Sequence, residues 1–258
     1  MAKVDQSIYC IVNNYASNLF DLNLHQSDIQ DSPNNTTRFL VIGKMIEAVM
    51  PESSVGTVVE IRIDFSGDIV LGEIVGFRDG RVLIMPFDDI VGINVGARVR
   101  ARKIFDRVPV GPSLLGKVID PFGRCMLGTS AEGLDDFDQV EIDRRAPNPM
   151  LRKRIKEPLC LGIRALDGLL TFCDGQRTAI MAGSGVGKSV LLGMIARGSS
   201  ADVNVIGLIS ERGREVREFI ERDLGEEGLA RSVVVSVTSD MSPLMRLRAA
   251  RVTTAVAE

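Results

Sequence analysis

The run AGSGVGKS, Ala182 to Ser189, constrains this chain more than any other stretch. Gly183, Gly185 and Gly187 let successive backbone N–H groups turn inward as a nest, with Ser184 and Val186 between them. The segment before it, RTAIMA (Arg177–Ala182), reads as a buried strand, and KSVLLGMIAR (Lys188–Arg197) as a helix. A glycine-rich loop between a strand and a helix N-terminus is the setting in which phosphate groups bind, because free N–H groups and the helix dipole converge there. Ala182 stands where the generic pattern has its first glycine. In this reading Lys188 reaches the β/γ oxygens of a nucleotide and the Ser189 hydroxyl completes a Mg²⁺ shell, with Val190 counted among the nucleotide-binding residues. A strand–helix turn without a ligand would account for the glycines but leaves the Lys-Ser pair unexplained.

Downstream the pattern alternates. VNVIGLIS (Val203–Ser210) and SVVVSVT (Ser232–Thr238) read as strands, REVREFIERDL (Arg214–Leu224) as a helix, and Ser242-Pro243 as the capped start of another. Alternation of this kind predicts an α/β fold with a mostly parallel, helix-covered sheet. Ligands of such sheets sit beyond the carboxyl ends of the strands. The stretch SERGREVREF therefore brings Glu211 to the crevice that the loop faces, placed to polarise a water attacking a γ-phosphate. By itself a strand-end Glu is more often a cap or a surface ion pair; the loop beside it reverses that preference.

Upstream, residues 38–104 carry short β-branched runs punctuated by Gly and Asp, with Asp79-Gly80 as a tight hairpin turn. About 65 residues of this kind predict a small β-barrel. Residues 105–157 read as a connector whose basic stretch (Arg144, Arg145, Arg152, Lys153, Arg154, Lys156) is a solvated linker. Residues 1–37 are polar toward their end, but Ile8, Ile11, Tyr15 and Leu19 fall at helical spacing and predict a short amphipathic helix. Docking on its own domain, a partner or a membrane face would all suit such a helix. Residues 158–258 form the α/β part.

A net charge of −3, a pI near 5.4 and 5% aromatic residues give no basic or base-stacking surface, so no nucleic-acid partner is expected. The four cysteines (Cys10, Cys125, Cys160, Cys173) form no CxxC pair and read as reduced thiols; one histidine leaves little room for His-based metal or triad chemistry. No apolar run reaches the ~18 residues of a membrane span.

AGSGVGKSVLLGMIAR, then ISERGREVREFIERDL and VVVSVTSD, together resemble the flagellar and type III secretion ATPases, relatives of the rotary ATP synthase catalytic subunits. GFRDGRVLIMPF, VGPSLLGKVIDPFG and EPLCLGIRALDGLLTFCDGQR extend the resemblance from about Thr37 to the end. It implies a β-barrel, a RecA-like nucleotide-binding core and a homohexamer with ATP at subunit interfaces. It also implies that Ala182–Ser189 hold the phosphates, that Glu211 activates water and that Arg212 lies in the same active-site region. The implied work is to unload and unfold chaperone-delivered substrates at a membrane-embedded secretion gate, with stalk and regulator proteins as further partners. Such a protein is cytoplasmic and peripheral at the inner face of the membrane.

The family continues into an apolar strand ending in an Asp that orders the Mg²⁺ water shell, then into an arginine finger, an adenine pocket and a helical domain, whereas RLRAARVTTAVAE ends within a helical pattern. The chain is therefore expected to be a fragment with an incomplete core: ATP hydrolase when intact, weak or inactive alone, its sheet lacking a strand and exposing an edge. A nucleotide-binding regulator without turnover is the alternative. Further ones are a rotary ATP synthase subunit and a Rho-type RNA translocase, which the acidic pI disfavours.

Overall fold

The computed structural model describes residues 7–13, 39–42, 45–50, 53–63, 68–90, 93, 97–102, 107–127, 138–144, 148–152, 154–183 and 185–258. They fall into two units: 15–106 with 241–245, and 1–14 with 107–240 and 246–258.

In the second unit the chain opens with β1 (Ser7–Asn13). The other unit follows, with β2 (Phe39–Ile42), β3 (Met45–Ala48), β4 (Val58–Arg62), β5 (Ile69–Arg78), β6 (Arg81–Pro86) and β7 (Arg98–Arg102). These six pair antiparallel in the order β2-β3-β6-β5-β4-β7. Strict alternation along β6 buries Val82, Ile84 and Pro86, and the core continues through Ile46, Val59, Ile61 and Ile74. The expected hairpin forms at Asp79 (φ 48°) and Gly80 (φ 74°), two left-handed residues in succession, as a type I′ turn needs between Arg78 and Arg81.

The rest of the chain supplies β8 (Arg107–Val110), β9 (Val118–Ile119), β10 (Cys125–Leu127), β11 (Asp138–Glu141), α1 (Arg164–Leu169), α2 (Lys188–Gly198), β12 (Val203–Glu211), α3 (Gly213–Glu218), α4 (Gly225–Ala230), β13 (Ser232–Thr238) and α5 (Pro243–Ala257). A π-helical turn, Phe219–Leu224, links α3 to α4. The main sheet runs β1-β12-β13-β9-β10, parallel throughout except for β10. Ile206, Leu208 and Val234 on one face pack with Ala196 of α2, Val216 of α3 and Phe219, Ile220 and Leu224 of the π turn. α5 covers the opposite face: a Cβ added at Gly207 would lie 2.8 Å from Thr253 Oγ1. Burial on both faces explains why β12 reads as an unbroken apolar run. α5 starts as expected, with Ser242 Oγ accepting from Met245 N–H at 3.3 Å.

Two expectations fail here, and for related reasons. Residues 7–13 are a strand rather than a helix; Tyr15 and Leu19 lie outside the described residues. SIYCIVN (Ser7–Asn13) is rich in β-branched and aromatic residues, and its seven residues, in register from Ser7↔Val203 to Asn13↔Ile209, satisfy an edge of β12 that a helix would leave bare. Arg177–Ala182, expected as a buried strand, pairs with no strand and is exposed, with Met181 90% accessible. A short apolar run is buried only beside a neighbour strand. Both edges of β12 are taken, by β1 and β13. The expected connector also does more than connect, since its β9 extends the sheet beside β13 and buries Val118 and Ile119. Its basic residues Arg144, Arg152, Arg154 and Lys156 are solvent-exposed, as read; Arg145 and Lys153 lie outside the described residues.

Candidate nucleotide site

The glycine-rich loop ends where α2 begins. Gly187 is the residue before the helix, in the left-handed conformation (φ 95°), and Gly185 shares that region (φ 75°). Side-chain-bearing residues pay for such backbone angles, which is why glycine stands at both positions. A Cβ built on Gly183, Gly185 or Gly187 meets no atom within 4 Å, so these three positions border open space. Lys188 is half-buried at the first position of α2; Ser189, Val190, Ala182 and Val186 are exposed, and Ser184 lies outside the described residues. The far end of α2 is tied down: Asn204 Nδ2 donates to Ala196 O at 2.8 Å and Arg231 Nη2 to Ser199 O at 3.2 Å. With its C-terminal carbonyls held, the helix presents its N-terminal N–H groups at a fixed place.

Glu211 ends β12 and is only 7% exposed. Burial above all, then a hydrogen bond with Glu215 and that residue's negative charge, push its carboxyl up from the ordinary 4.5 to about 7 against the opposing Lys188 ammonium. Lys188 and Glu211 are thus electrostatic neighbours, the first at the start of α2 and the second at the end of β12. A carboxyl poised near neutrality is suited to exchange a proton at physiological pH. Glu211 O accepts from Ser239 N–H at 2.9 Å, which joins the ends of β12 and β13. The Arg212 side chain is 82% exposed, its Nη1 3.7 Å from Glu215 Oε1. Among the described residues no group of three or more His, Cys, Asp or Glu side chains could hold a metal ion, and Cys125, Cys160 and Cys173 are free thiols.

A model described as the ATP synthase alpha/beta family, nucleotide-binding domain, matches residues 162–258, and the same family's beta-barrel domain matches 40–103. The chain belongs to the ATP synthase alpha/beta family. A prephenate dehydratase model matches residues 1–47, a stretch that contains β1 and enters the barrel. A flagellum-specific ATP synthase of Bacillus subtilis is 50% identical over 220 residues, 84% of this chain and 50% of that protein. A type 3 secretion system ATPase of Xanthomonas euvesicatoria is 47% identical over 218 residues, covering 84% and 49%. Among solved structures, the assembled ATPase EscN of the enteropathogenic E. coli type III secretion system matches with a TM-score of 0.75 at 39% identity, over 86% of this chain and 52% of that one. The chain spans about half the length of the relatives it matches. The likeness seen in AGSGVGKS and ISERGREVREF is the likeness these comparisons find.

Of the residues singled out in the sequence, the fold brings the α2 start and Glu211 together and leaves the Arg212 head in solvent. Sequence reading passed over Glu215, Ser210 and Arg246. Glu215 had a signal: it follows Glu211 by four residues, one helical turn, in a segment already read as turning into a helix. Ser210 (φ 66°) and Arg246, whose Nη1 lies 3.4 Å from Ser210 Oγ, had none.

Proposed function

We propose that this chain is the barrel and phosphate-loop portion of an ATP-hydrolysing motor subunit that energises protein export through a flagellar or type III secretion apparatus. The observation that carries the reading is the pairing of Lys188, at the start of α2, with a neutral-poised Glu211 at the end of β12. Gly183, Ser184, Gly185, Val186 and Gly187 would cradle the phosphates through their N–H groups, with Ala182 and Val190 at the margins. Lys188 would balance the β/γ charge, and Glu211 would take the proton of the attacking water. Arg212, its head exposed beside Glu215, would join only when a ligand draws it in. The donor set fits Mg²⁺: an exposed hydroxyl at Ser189 beside an open loop, with the remaining positions left to phosphate oxygens and water. The ion would neutralise charge developing on the phosphates.

The proposed homohexamer would be one form of assembly; assembly and a stalk partner are supported by the solved relatives, EscN in assembled form and EscN in complex with its central stalk EscO. A secretion gate, regulators, export chaperones and their substrates complete the proposed partners. No helix of the described residues is long and apolar enough to cross a membrane. The proposed location is cytoplasmic, peripheral to the membrane's inner face.

One observation favours the second reading, a nucleotide-binding piece without turnover: Arg177–Gly183, which must hold the loop from behind, is exposed and unpaired. Equilibrium binding of Mg-ATP to the chain and to Lys188→Ala, with phosphate release measured alongside, decides. Loss of the ammonium should weaken binding at least about tenfold. Equal affinity of the two proteins would overturn the proposal; binding without phosphate release would select the second reading.

A further inference from the structure

The route by which Glu211 reaches Lys188 depends on a single residue of extra backbone. From Asn204↔Ser232 to Ile209↔Val237 the pairing of β12 with β13 holds one register, but the next pair is Glu211↔Thr238. Ser210 is the extra residue, and its φ of 66° is one of two positive values among the described non-glycine residues. Side chains of a strand alternate between faces. Without the bulge Glu211 would share the face of Gly207 and Ile209, toward α5 and Thr253. With it, Glu211 takes the face of Ile206 and Leu208, which packs against α2 and α3. Lys188 begins α2 and Glu215 lies on α3, and these are the two groups whose charges Glu211 feels.

The bulge is gripped from the opposite side of the sheet. Arg246, on α5, places Nη1 3.4 Å from Ser210 Oγ, while its Nε is buried with no hydrogen-bond partner. A guanidinium kept at that depth with a donor unpaired contributes little stability of its own, which points to a positional role. Serine also has no intrinsic preference for the left-handed region, so something must hold it there.

We propose that Ser210 and Arg246 are positioning residues that hold the β12 bulge and thereby turn the Glu211 carboxylate from the α5 face of the sheet to the face of Lys188. The proposal rests on the reading of Glu211 as the base, but its test does not. Glutamate side-chain ¹³C resonances of the 258-residue chain report the Glu211 midpoint directly, assigned with Glu211→Gln. Ser210→Gly keeps the left-handed backbone accessible and should leave that midpoint within half a pH unit of the parent. Ser210→Val, whose branched side chain resists that backbone, and Arg246→Gln should lower it by more than half a pH unit, since Glu211 would leave the hydrogen bond and negative charge of Glu215 while staying buried against α5; Arg246→Lys should restore part of the difference. Circular dichroism confirms the fold of each. Unchanged midpoints in folded Ser210→Val and Arg246→Gln would overturn the proposal, as would an equal effect of Ser210→Gly. Where those two do not fold, Ser210→Ala, which loses only Oγ, carries the same expectation and the same refutation. Mg-ATP binding, followed in parallel, should stay within about threefold in the Ser210 and Arg246 variants. A chain that binds no nucleotide but shows these midpoints would overturn the proposed function and leave the bulge standing.

Discussion

Replacing Glu211 by Gln tests whether the site is built around a carboxyl that the fold prefers to keep neutral. Glu211 titrates at about 7 in the folded chain against an ordinary 4.5, because burial and Glu215 disfavour its charge more than Lys188 favours it. Below pH 4.5 the group is protonated in both folded and unfolded chains and contributes no difference. Above that, the unfolded chain gains by ionising while the folded one does not, so stability falls as pH rises and levels off past about 7, where both are ionised. At about 1.4 kcal/mol per pH unit the interval corresponds to about 3 kcal/mol. Water at the open loop face screens part of that, leaving about 1–2 kcal/mol. Gln has no charge to lose and still donates to Glu215. Glu211→Gln should therefore match the parent near pH 4.5 and exceed it at pH 8, by roughly 2–8 °C in Tm for a chain of this size. Thermal unfolding of both proteins at half-unit intervals from pH 4.5 to 8.5 gives the curve. A difference that is flat with pH, or that favours the parent at pH 8, would refute the argument that burial and Glu215 outweigh Lys188.

Three other substitutions probe the elements that support the site. Gly187→Ala forces a side chain into φ 95° where α2 begins, so Mg-ATP affinity should fall about tenfold while Tm shifts by a few degrees; titration with a fluorescent nucleotide reads the first and calorimetry the second. In Gly193→Ala the new Cβ would stand 2.5 Å from Asp223 O, which drives α2 off the π turn and should cost about 1–3 kcal/mol in urea unfolding; an unchanged midpoint would mean that α2 can slide freely. Gly80→Ala puts a Cβ into the left-handed second position of the 79–80 turn, with open space around it, so the loss should be about 1 kcal/mol from backbone strain alone and nucleotide affinity should not change.

What could be read from the residues, and what could not, divides along a physical line. β6, β12, β13 and α2 announce themselves because their patterns are set by what each residue touches: alternation against a half-buried face, an unbroken apolar run between two helix layers, glycines at a helix start. The Asp79-Gly80 turn is legible for the same reason, since few residue pairs accept two left-handed angles. Failure came where the outcome depends on which strand finds an edge. RTAIMA and SIYCIV are both plausible neighbours for β12, and no local pattern says which will pair; the fold gives the edge to residues 7–13, and Arg177–Ala182 is left exposed as a consequence. The site shows the same limit on a smaller scale. That Glu211 sits at a strand end follows from SERGREVREF, but strand ends have two faces, and alternation alone sends the carboxylate to the wrong one. Only the extra residue at Ser210 reverses it. A one-residue bulge has almost no composition to detect when it is made by a serine rather than a glycine, yet it moves a carboxylate through the whole thickness of a sheet. In this chain the residue types were readable and the facing was not, because type is a property of one residue and facing is a property of register.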